Sequence, residues 1–261
     1  MYSPKITIIT ACFNSEAHIE ETIQSIITQD YDNFEYIIID GASTDNTLDI
    51  INRYKKNITK IISEKDKGIS DAFNKGIRLA SGDIIGIVNA DDKLCEHALK
   101  RLAEKYVPGY DVYRGNQLFW NDKTNVITID FPTMKFPIPP LSLHICHNAT
   151  YITKQAYEKY GLYDTSFKYI MDIDLFVRYY KLGATFYRIN ENLVLFRLGG
   201  VSQVRNKTKW NEYKKVIKGN GGNKIQEYIF IGYLKIRMLV KDFVTLFGED
   251  VRLYLTQKKI K

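Results

Sequence analysis

Residues 84–92 read IIGIVNADD, a short apolar run that ends in two adjacent carboxylates. Such a run, rich in β-branched residues, predicts a strand that is buried on both faces. Two carboxylates at the end of a buried strand are costly unless a positive group compensates them, and a hard divalent cation is a natural partner. The alternative is ordinary capping, in which these Asp residues begin a helix over residues 93–106.

Three further apolar runs lie upstream of this stretch and alternate with helical patterns. Residues 6–12, 34–39 and 58–62 predict strands, with a helix after each. This alternation indicates βαβ units, so the sequence predicts an α/β fold with a Rossmann-type, mostly parallel sheet flanked by helices. Ligands of such sheets bind at the carboxyl ends of the strands. Polar residues cluster at those predicted ends, namely Asn14, Asp40, residues 64–66 and residues 91–92.

The second half of the chain is less regular. The patterns predict strands or extended segments over residues 111–120, 125–131, 148–152, 185–189 and 194–197. They predict helices over residues 154–160, 172–182 and 224–247. Between the last two helices, Gly199 and Gly200 open a stretch that we expect to be flexible and basic.

Composition is that of an ordinary globular protein with a core. The 261 residues suit one large domain, with or without an appendage, and 45% of them are apolar. Cys12, Cys95 and Cys146 are far apart and form no CxxC pair, which favours a reducing cytoplasm over a disulfide framework. We find neither a secretory leader nor an apolar run of about 18 residues that would predict a spanning helix.

Several nucleotide-binding classes lack their motifs in this sequence. There is no GxxxxGK[ST] and no GxGxxG in the sequence. The main evidence that would indicate a P-loop kinase or a dehydrogenase is therefore missing. A nucleotidyltransferase would also use metal-bound carboxylates, but it would carry a Gly- and Arg/Lys-rich loop after the first strand. Residues 12–16 read CFNSE, which is acidic and lacks a basic triphosphate clamp.

Charge is distributed unevenly along the chain. Residues 205–261 hold 14 of the 37 Lys and Arg but 5 of the 30 Asp and Glu, so this part carries +9 and the rest −2. A basic amphipathic helix within residues 206–261 predicts an interfacial segment on anionic lipid. The alternatives are a helix that packs on the domain and a homodimer contact. No nucleic-acid-binding module is recognisable in the tail, so we expect no nucleic acid partner.

Four ordered motifs carry a family resemblance: IDGASTDNT at residues 39–47, EKDKGISDAFNKG at 64–76, ASGD at 80–83 and VNADD at 88–92. Together they resemble the inverting family 2 glycosyltransferases of GT-A fold, of the bacterial surface-polysaccharide type. The resemblance covers roughly residues 4–202. It implies a glycosyltransferase domain over residues 1–205, with a donor half at 1–95 and an acceptor half at 96–205, followed by a basic helical segment at 206–261.

The resemblance implies a nucleotide-sugar site in the donor half. Asp40 would contact the uridine, with Thr10, Ala11 and Phe13 shaping the base pocket and Asp66 on its other side. Asn89 and Asp91 stand where the family has its DxD motif. Asp91 would hold Mn²⁺ or Mg²⁺ with help from Asp92. The first carboxylate of that motif is Asn89 here, a departure that lowers the charge of the metal site.

The resemblance also implies an acceptor side. Asp172 in MDIDLFVR, residues 171–178, stands where the family carries the general base that deprotonates the acceptor hydroxyl. Asp174 points to another side of the helix and is expected to cap or orient it. His147, Arg178, Gly200 and Ser202 are expected near the acceptor or the phosphates, the last two in a segment that closes over the donor. The competing interpretations are a helix-cap cluster for the two Asp residues, a structural role for His147 and a plain surface loop for residues 197–202.

The sequence therefore predicts an inverting, metal-dependent transferase. Its donor would be a nucleotide-sugar, with UDP expected, and its acceptor a glycan or lipid-linked glycan. The chain would work in the cytoplasm, peripherally on the inner face of the cell membrane. The alternatives are a nucleotidyltransferase and a catalytically degenerate scaffold that binds sugar nucleotides; the combination of Asp40, Asp91 and Asp172 argues against the second.

Overall fold

The computed structural model describes residues 3–121, 126–130, 146–198 and 206–245. Within these ranges the strands are β1 (Ile6–Cys12), β2 (Phe34–Asp40), β3 (Lys60–Ser63), β4 (Ile84–Ile87), β5 (Lys93–Leu94), β6 (Val112–Asn121), β7 (Val126–Asp130), β8 (Thr150–Thr153) and β9 (Phe186–Arg197). The helices are α1 (Ile19–Ile27), α2 (Thr47–Arg53), α3 (Ile69–Leu79), α4 (Ala98–Glu104), α5 (Lys154–Tyr160), α6 (Met171–Lys181), α7 (Lys207–Gly219) and α8 (Lys224–Thr245).

The described strands form one sheet in the order β3-β2-β1-β4-β8-β6-β9-β5, with β7 paired to β6. The first four strands are parallel, as are β6 and β9, and most paired residues lie in these parallel ladders. The predicted α/β fold with a mostly parallel sheet is confirmed. Because β1 lies between β2 and β4, the direction of winding reverses there, and a crevice opens at the carboxyl ends of β1 and β4.

Both faces of the sheet are covered by helices. Ile8 and Ile9 are neighbours on β1 and fully buried, yet they lie in different hydrophobic clusters. The cluster around Ile8 includes residues of α1, α2 and α4, whereas the cluster around Ile9 includes residues of α3, α5, α6, α7 and α8. This two-sided burial explains why the strands read as continuous apolar runs.

Three sequence-based expectations differ from the structure. Residues 93–106 are not one helix: β5 begins at Lys93 and α4 starts only at Ala98. The segments expected at 185–189 and 194–197 are one strand, β9, which pairs with β6 through a bulge near Asn116. The stretch expected to be flexible contains α7, which the low apolar content of its sequence concealed.

The basic C-terminal segment packs on the core of the preceding residues. Val216 and Ile217 of α7 and Phe230 of α8 are buried in the same cluster as Ile9. The Glu212 carboxylate of α7 accepts hydrogen bonds from the backbone N–H groups of residues 168–170, which lead into α6. Residues 206–219 therefore belong structurally to the domain that precedes them.

The amino end of the sheet is held by one buried carboxylate. Glu35 of β2 accepts hydrogen bonds from Thr7 Oγ1 at 2.6 Å and from Ser81 Oγ at 2.7 Å, and Lys5 Nζ lies 3.6 Å away. Burial alone raises the pKa of this carboxyl, but the hydrogen bonds from Thr7 and Ser81 and the charge of Lys5 outweigh it. The pKa of Glu35 is therefore below its ordinary value.

We expect Glu35→Gln to lower the free energy of unfolding at pH 7 by about 1–2 kcal/mol, because an amide cannot accept all of these hydrogen bonds. Since the folded-state pKa lies below the unfolded-state pKa, the charged form stabilises the fold above about pH 4.3. That stability is lost as pH falls through the folded-state pKa. Urea unfolding at pH 7 and pH 4 should show a smaller loss on acidification in the variant than in the wild type. Glu158→Gln, an exposed change on α5, is the control, and identical pH dependence in both variants would contradict the assignment.

Candidate active site

Two crossing hydrogen bonds join the loops that follow β1 and β2. The Asn14 backbone N–H donates to Ser43 Oγ at 2.9 Å, and the Thr44 N–H donates to Asn14 Oδ1 at 2.9 Å. Asn14 and Ala42 adopt left-handed backbone conformations, with φ of 47° and 61°. Such conformations are costly for an alanine and persist where surrounding contacts enforce them, often at functional sites.

Asp40 ends β2 beneath these loops, beside Cys12 in the sheet register, and is fully buried. Its carboxylate accepts hydrogen bonds from the hydroxyls of Ser43 and Ser63, and the Cys12 thiol lies 3.7 Å away. Burial, followed by the charge of Asp40, raises the pKa of Cys12, so its thiol stays protonated. Asp40 therefore ties β1, β3 and the loop after β2 together at the base of the crevice.

An exposed aromatic side chain stands at the crevice mouth. Phe13 is 61% exposed, and a Cβ placed on Gly41 would lie 3.4 Å from its ring and 3.0 Å from Asp66 Oδ2. Phe13, Gly41 and Asp66 thus border one small surface, and glycine keeps it open. Lys75 Nζ holds Asp66 Oδ1 at 2.6 Å and Glu64 at 2.8 Å, and these hydrogen bonds raise the pKa of Lys75.

Thr10 and Ala11 lie below this surface. Thr10 is fully buried, and its hydroxyl is 3.1 Å from the Tyr36 hydroxyl. Ala11 is half-buried and packs against the cluster that contains Ile9. Of the three residues expected to shape the base pocket, Phe13, which directly follows β1, is the exposed one.

The acidic turn after β4 does not cap a helix, because β5 follows it directly. Asp92 is fully buried and accepts hydrogen bonds from Asn89 Nδ2, Asn148 Nδ2 and the Arg197 N–H, the last at 3.0 Å. Burial, followed by the adjacent charge of Asp91, raises the pKa of Asp92. The Asn89 amide donates to both Asp92 and Asn148, which a carboxylate at position 89 could not do.

Two positive side chains, those of Arg197 and Lys93, lie next to this turn. Arg197 donates from Nε to the Asp91 carbonyl at 3.1 Å and pairs with Glu21 at 3.1 Å. Lys93 also pairs with Glu21, at 2.8 Å, and this hydrogen bond is the main cause that lowers the pKa of Glu21. Both cations lie over the Trp120 ring, at 4.0 and 4.3 Å from its centroid.

The fit of a metal ion to the turn depends on Asp91. Its side chain is half-buried, whereas the oxygens of Asp92 are occupied by protein donors. In the part of the chain that the structure describes, no group of three His, Cys, Asp or Glu side chains is arranged to hold a metal. One carboxylate suits Mg²⁺ or Mn²⁺ when substrate phosphates and water supply the other ligands.

A chain of hydrogen bonds runs from the turn towards α6. Asn148 donates its amide to Asp92, so its Oδ1 accepts from His147 Nδ1 at 3.0 Å. The other ring nitrogen, His147 Nε2, is 2.8 Å from the Tyr163 hydroxyl and accepts from it when the ring is neutral. The imidazole also stacks on Phe73, with ring centroids 5.6 Å apart. Both nitrogens of His147 are therefore engaged inside the protein.

Asp172 and Asp174 occupy the first turn of α6 but have different surroundings. Asp172 is half-buried, and its charge acts on Tyr163 and on Lys209 of α7. Asp174 is buried and pairs with Arg178 at 3.3 Å, and burial raises its pKa. Arg178 also donates to the Tyr160 and Leu162 carbonyls, so it braces α6 against α5. Gly200 and Ser202 lie outside the described residues.

Three residues that organise this region were not among the candidates from sequence: Asn148, Arg197 and Glu212. Asn148 directly follows His147, and Arg197 ends a predicted strand. The sequence shows where both residues lie, but their hydrogen-bond partners are distant in the sequence. Glu212 could have been noticed in the sequence because it is the one acidic residue in the basic helix KTKWNEYKKVIKG. Lys209 lies near Glu212 on α7. Burial lowers the pKa of Lys209, and the charges of Asp172 and Glu212 oppose that shift.

Comparison with known proteins places the chain among glycosyltransferases. The sequence model of Glycosyl transferase family 2 matches residues 7–161, more than half of the chain. A PGL/p-HBAD biosynthesis glycosyltransferase of Mycobacterium bovis is 28% identical over 190 residues, which covers 68% of this chain and 70% of that protein.

Solved glycosyltransferases share the fold. S. aureus TarS 1–349 in complex with UDP-GlcNAc has a TM-score of 0.65 at 17% identity, over 82% of this chain and 64% of that one. The mannosyltransferase PcManGT from Pyrobaculum calidifontis, in complex with GDP-Man and Mn²⁺, has a TM-score of 0.60 at 17% identity, over 77% and 59%. This chain spans less than two thirds of the length of either solved chain. The family match and the shared sheet together show that the chain belongs to glycosyl transferase family 2 and is a glycosyltransferase of GT-A fold.

Proposed function

We propose that this chain transfers a sugar from a UDP-sugar, with inversion, to a glycan or lipid-linked glycan. Asp172 is the general base and Asp91 holds Mn²⁺ or Mg²⁺. The observation that supports this most is the hydrogen-bonded chain Asp92–Asn148–His147–Tyr163. It begins beside Asp91 and ends at Tyr163, on which the charge of Asp172 acts. The network thus extends from the turn that carries Asp91 to Tyr163, whose pKa is raised by burial and also by the charge of Asp172.

The donor base is proposed to lie on the surface bordered by Phe13, Gly41 and Asp66. An exposed ring offers a stacking face, and the open edge beside Gly41 admits a planar ligand. Thr10, Ala11 and Asp40 form the floor of this pocket and set its depth. The UDP-GlcNAc complex of TarS, which shares the fold, supports the choice of a UDP-sugar.

Asn89 and Asp91 are proposed to face the donor diphosphate. When bound, the cation neutralises the charge that develops on the diphosphate as the sugar–oxygen bond breaks. The Mn²⁺ complex of PcManGT supports the choice of ion. Asp92 is proposed to fix the turn from behind, with its carboxylate held by Asn89, Asn148 and Arg197.

At the acceptor side, Asp172 is proposed to remove the proton of the acceptor hydroxyl as that oxygen attacks the anomeric carbon. The new bond forms opposite the leaving UDP, so the configuration inverts, and Asp172 leaves the step protonated. His147 and Arg178 act as positioning residues, because their polar atoms are engaged within the protein. Gly200 and Ser202 are proposed to close over the phosphates.

The compartment proposed for this reaction is the cytoplasm. Cys12, Cys95 and Cys146 form no disulfide bond, as suits a reducing environment. The curated relative named for PGL/p-HBAD biosynthesis supports a role in building a surface glycoconjugate.

We expect Asp172→Asn to lower kcat by about 10²-fold or more, since the amide cannot accept the proton. UDP affinity should change by less than about twofold because Asp172 lies on the acceptor side. UDP release across a panel of UDP-sugars and oligosaccharide acceptors measures the first effect, and calorimetric titration of UDP measures the second. Asp32→Asn removes an exposed carboxylate before β2 and is the control. Transfer at the wild-type rate by Asp172→Asn would refute the base assignment.

The adjacent variants Asp91→Asn and Asp92→Asn should separate metal binding from structure. Asp91→Asn should abolish the gain in UDP affinity on adding Mn²⁺ and leave the melting temperature unchanged. Asp92→Asn should lower the free energy of unfolding by roughly 1–3 kcal/mol. The reason is that the new amide NH₂ group would face buried N–H donors, with no acceptor for its own hydrogens. Thermal shift with and without Mn²⁺ and UDP reports both effects. The roles are reversed if Asp92→Asn loses the Mn²⁺ effect while keeping the wild-type melting temperature.

A further inference from the structure

Helix α8 exposes a row of large apolar side chains. Ile225, Tyr228, Ile229, Ile236 and Leu239 are each between 53% and 74% exposed. Counted from Ile225, the positions 229, 236 and 239 are 4, 11 and 14 residues on, close to whole helical turns. The five side chains therefore form one stripe along the helix, which we call the α8 apolar face.

The opposite side of α8 is the one that packs on the domain. Phe230 is buried, and its ring centroid is 5.7 Å from that of Tyr213 on α7. Leu234 packs against the same core cluster, and Glu227 pairs with Lys214 at 3.5 Å. The α8 apolar face thus points away from the core while the helix stays anchored to it.

The segment that carries this face is basic. Residues 206–261 contain 13 Lys and Arg against 5 Asp and Glu. Lys224 and Lys235 are exposed directly beside Ile225 and Ile236, while Glu227 is turned towards Lys214. Lysines flanking an apolar stripe complement an anionic lipid surface. A second copy would instead bring the same basic face against itself, with like charges opposed.

We propose that the α8 apolar face docks on an anionic membrane, with α8 lying in the plane of the interface. In the described part of the chain, no helix is long and apolar enough to cross a bilayer. Because α8 and α7 share the core with α6, docking also orients the transferase domain relative to the membrane. The consequence that the acceptor is presented by a lipid rests on the function proposed above; the docking itself does not.

The test must use the full chain. Removing residues after 205 would delete α7, whose Glu212 holds the backbone that leads into α6, so a truncation would confuse misfolding with lost binding. Ile225→Gln/Ile236→Gln/Leu239→Gln replaces three of the five side chains of the α8 apolar face with a good helix former. Leu182→Gln/Val107→Gln changes exposed apolar residues elsewhere and is the matched control.

Co-sedimentation is measured with vesicles of phosphatidylcholine alone and of phosphatidylcholine with phosphatidylglycerol, without donor or acceptor. We expect the wild type and the control to bind the anionic vesicles, and the triple variant to bind at least about tenfold more weakly. Lys224→Glu/Lys235→Glu should also lower binding to anionic vesicles by about tenfold, and added salt should weaken the wild type. Circular dichroism melting establishes that each variant is folded.

Equal vesicle binding by the wild type and the folded triple variant would overturn the proposal. So would a wild-type dimer in sedimentation equilibrium that the triple variant converts to monomer without any change in vesicle binding, since the face would then serve a second copy. Vesicle binding requires no catalysis, so a failure here and a failure of the Asp172→Asn experiment have separate meanings.

Discussion

The hydrogen bonding of the buried Asp92 carboxylate is the interaction on which the rest of the site depends. A charge in the interior is tolerated only when hydrogen-bond donors replace its water. Asp92 receives those donors from Asn89 in its own turn, from Asn148 before β8 and from the end of β9 at Arg197. These elements are far apart in the sequence, so satisfying one carboxylate joins the turn after β4 to the segment before β8 and to the end of β9.

The same requirement gives a physical reason for an amide at Asn89, where the resemblance implies the first carboxylate of a DxD motif. A carboxylate at position 89 would have placed a further negative charge beside buried Asp92 and offered it no hydrogen. The amide donates to both Asp92 and Asn148, which rigidifies the turn. Within the turn, the Asp91 carboxylate is therefore left half-buried while that of Asp92 is enclosed.

A second buried carboxylate plays a comparable part at the other end of the site. Glu212 gathers three backbone N–H groups ahead of α6 and so positions the turn that carries Asp172. It comes from a basic segment beyond the region that matches the family, residues 7–161. Helix α8 follows α7 in the chain. The packing of α7 therefore also fixes where the α8 apolar face lies relative to the site.

The sequence by itself determined the local features of this protein. Apolar runs gave β1, β2 and β4 nearly to the residue because these strands are buried on both faces, and polar residues at their ends located the crevice. The paired Asp91 and Asp92 could be singled out from the sequence as candidates, but their different surroundings could not, since adjacent carboxylates look alike until their partners are known. Only the tertiary structure decided that Asp92 is buried among donors up to 105 residues away and that Glu212 serves α6. Local pattern reports what each residue prefers, whereas hydrogen-bond satisfaction of buried charge is settled by groups distant in sequence.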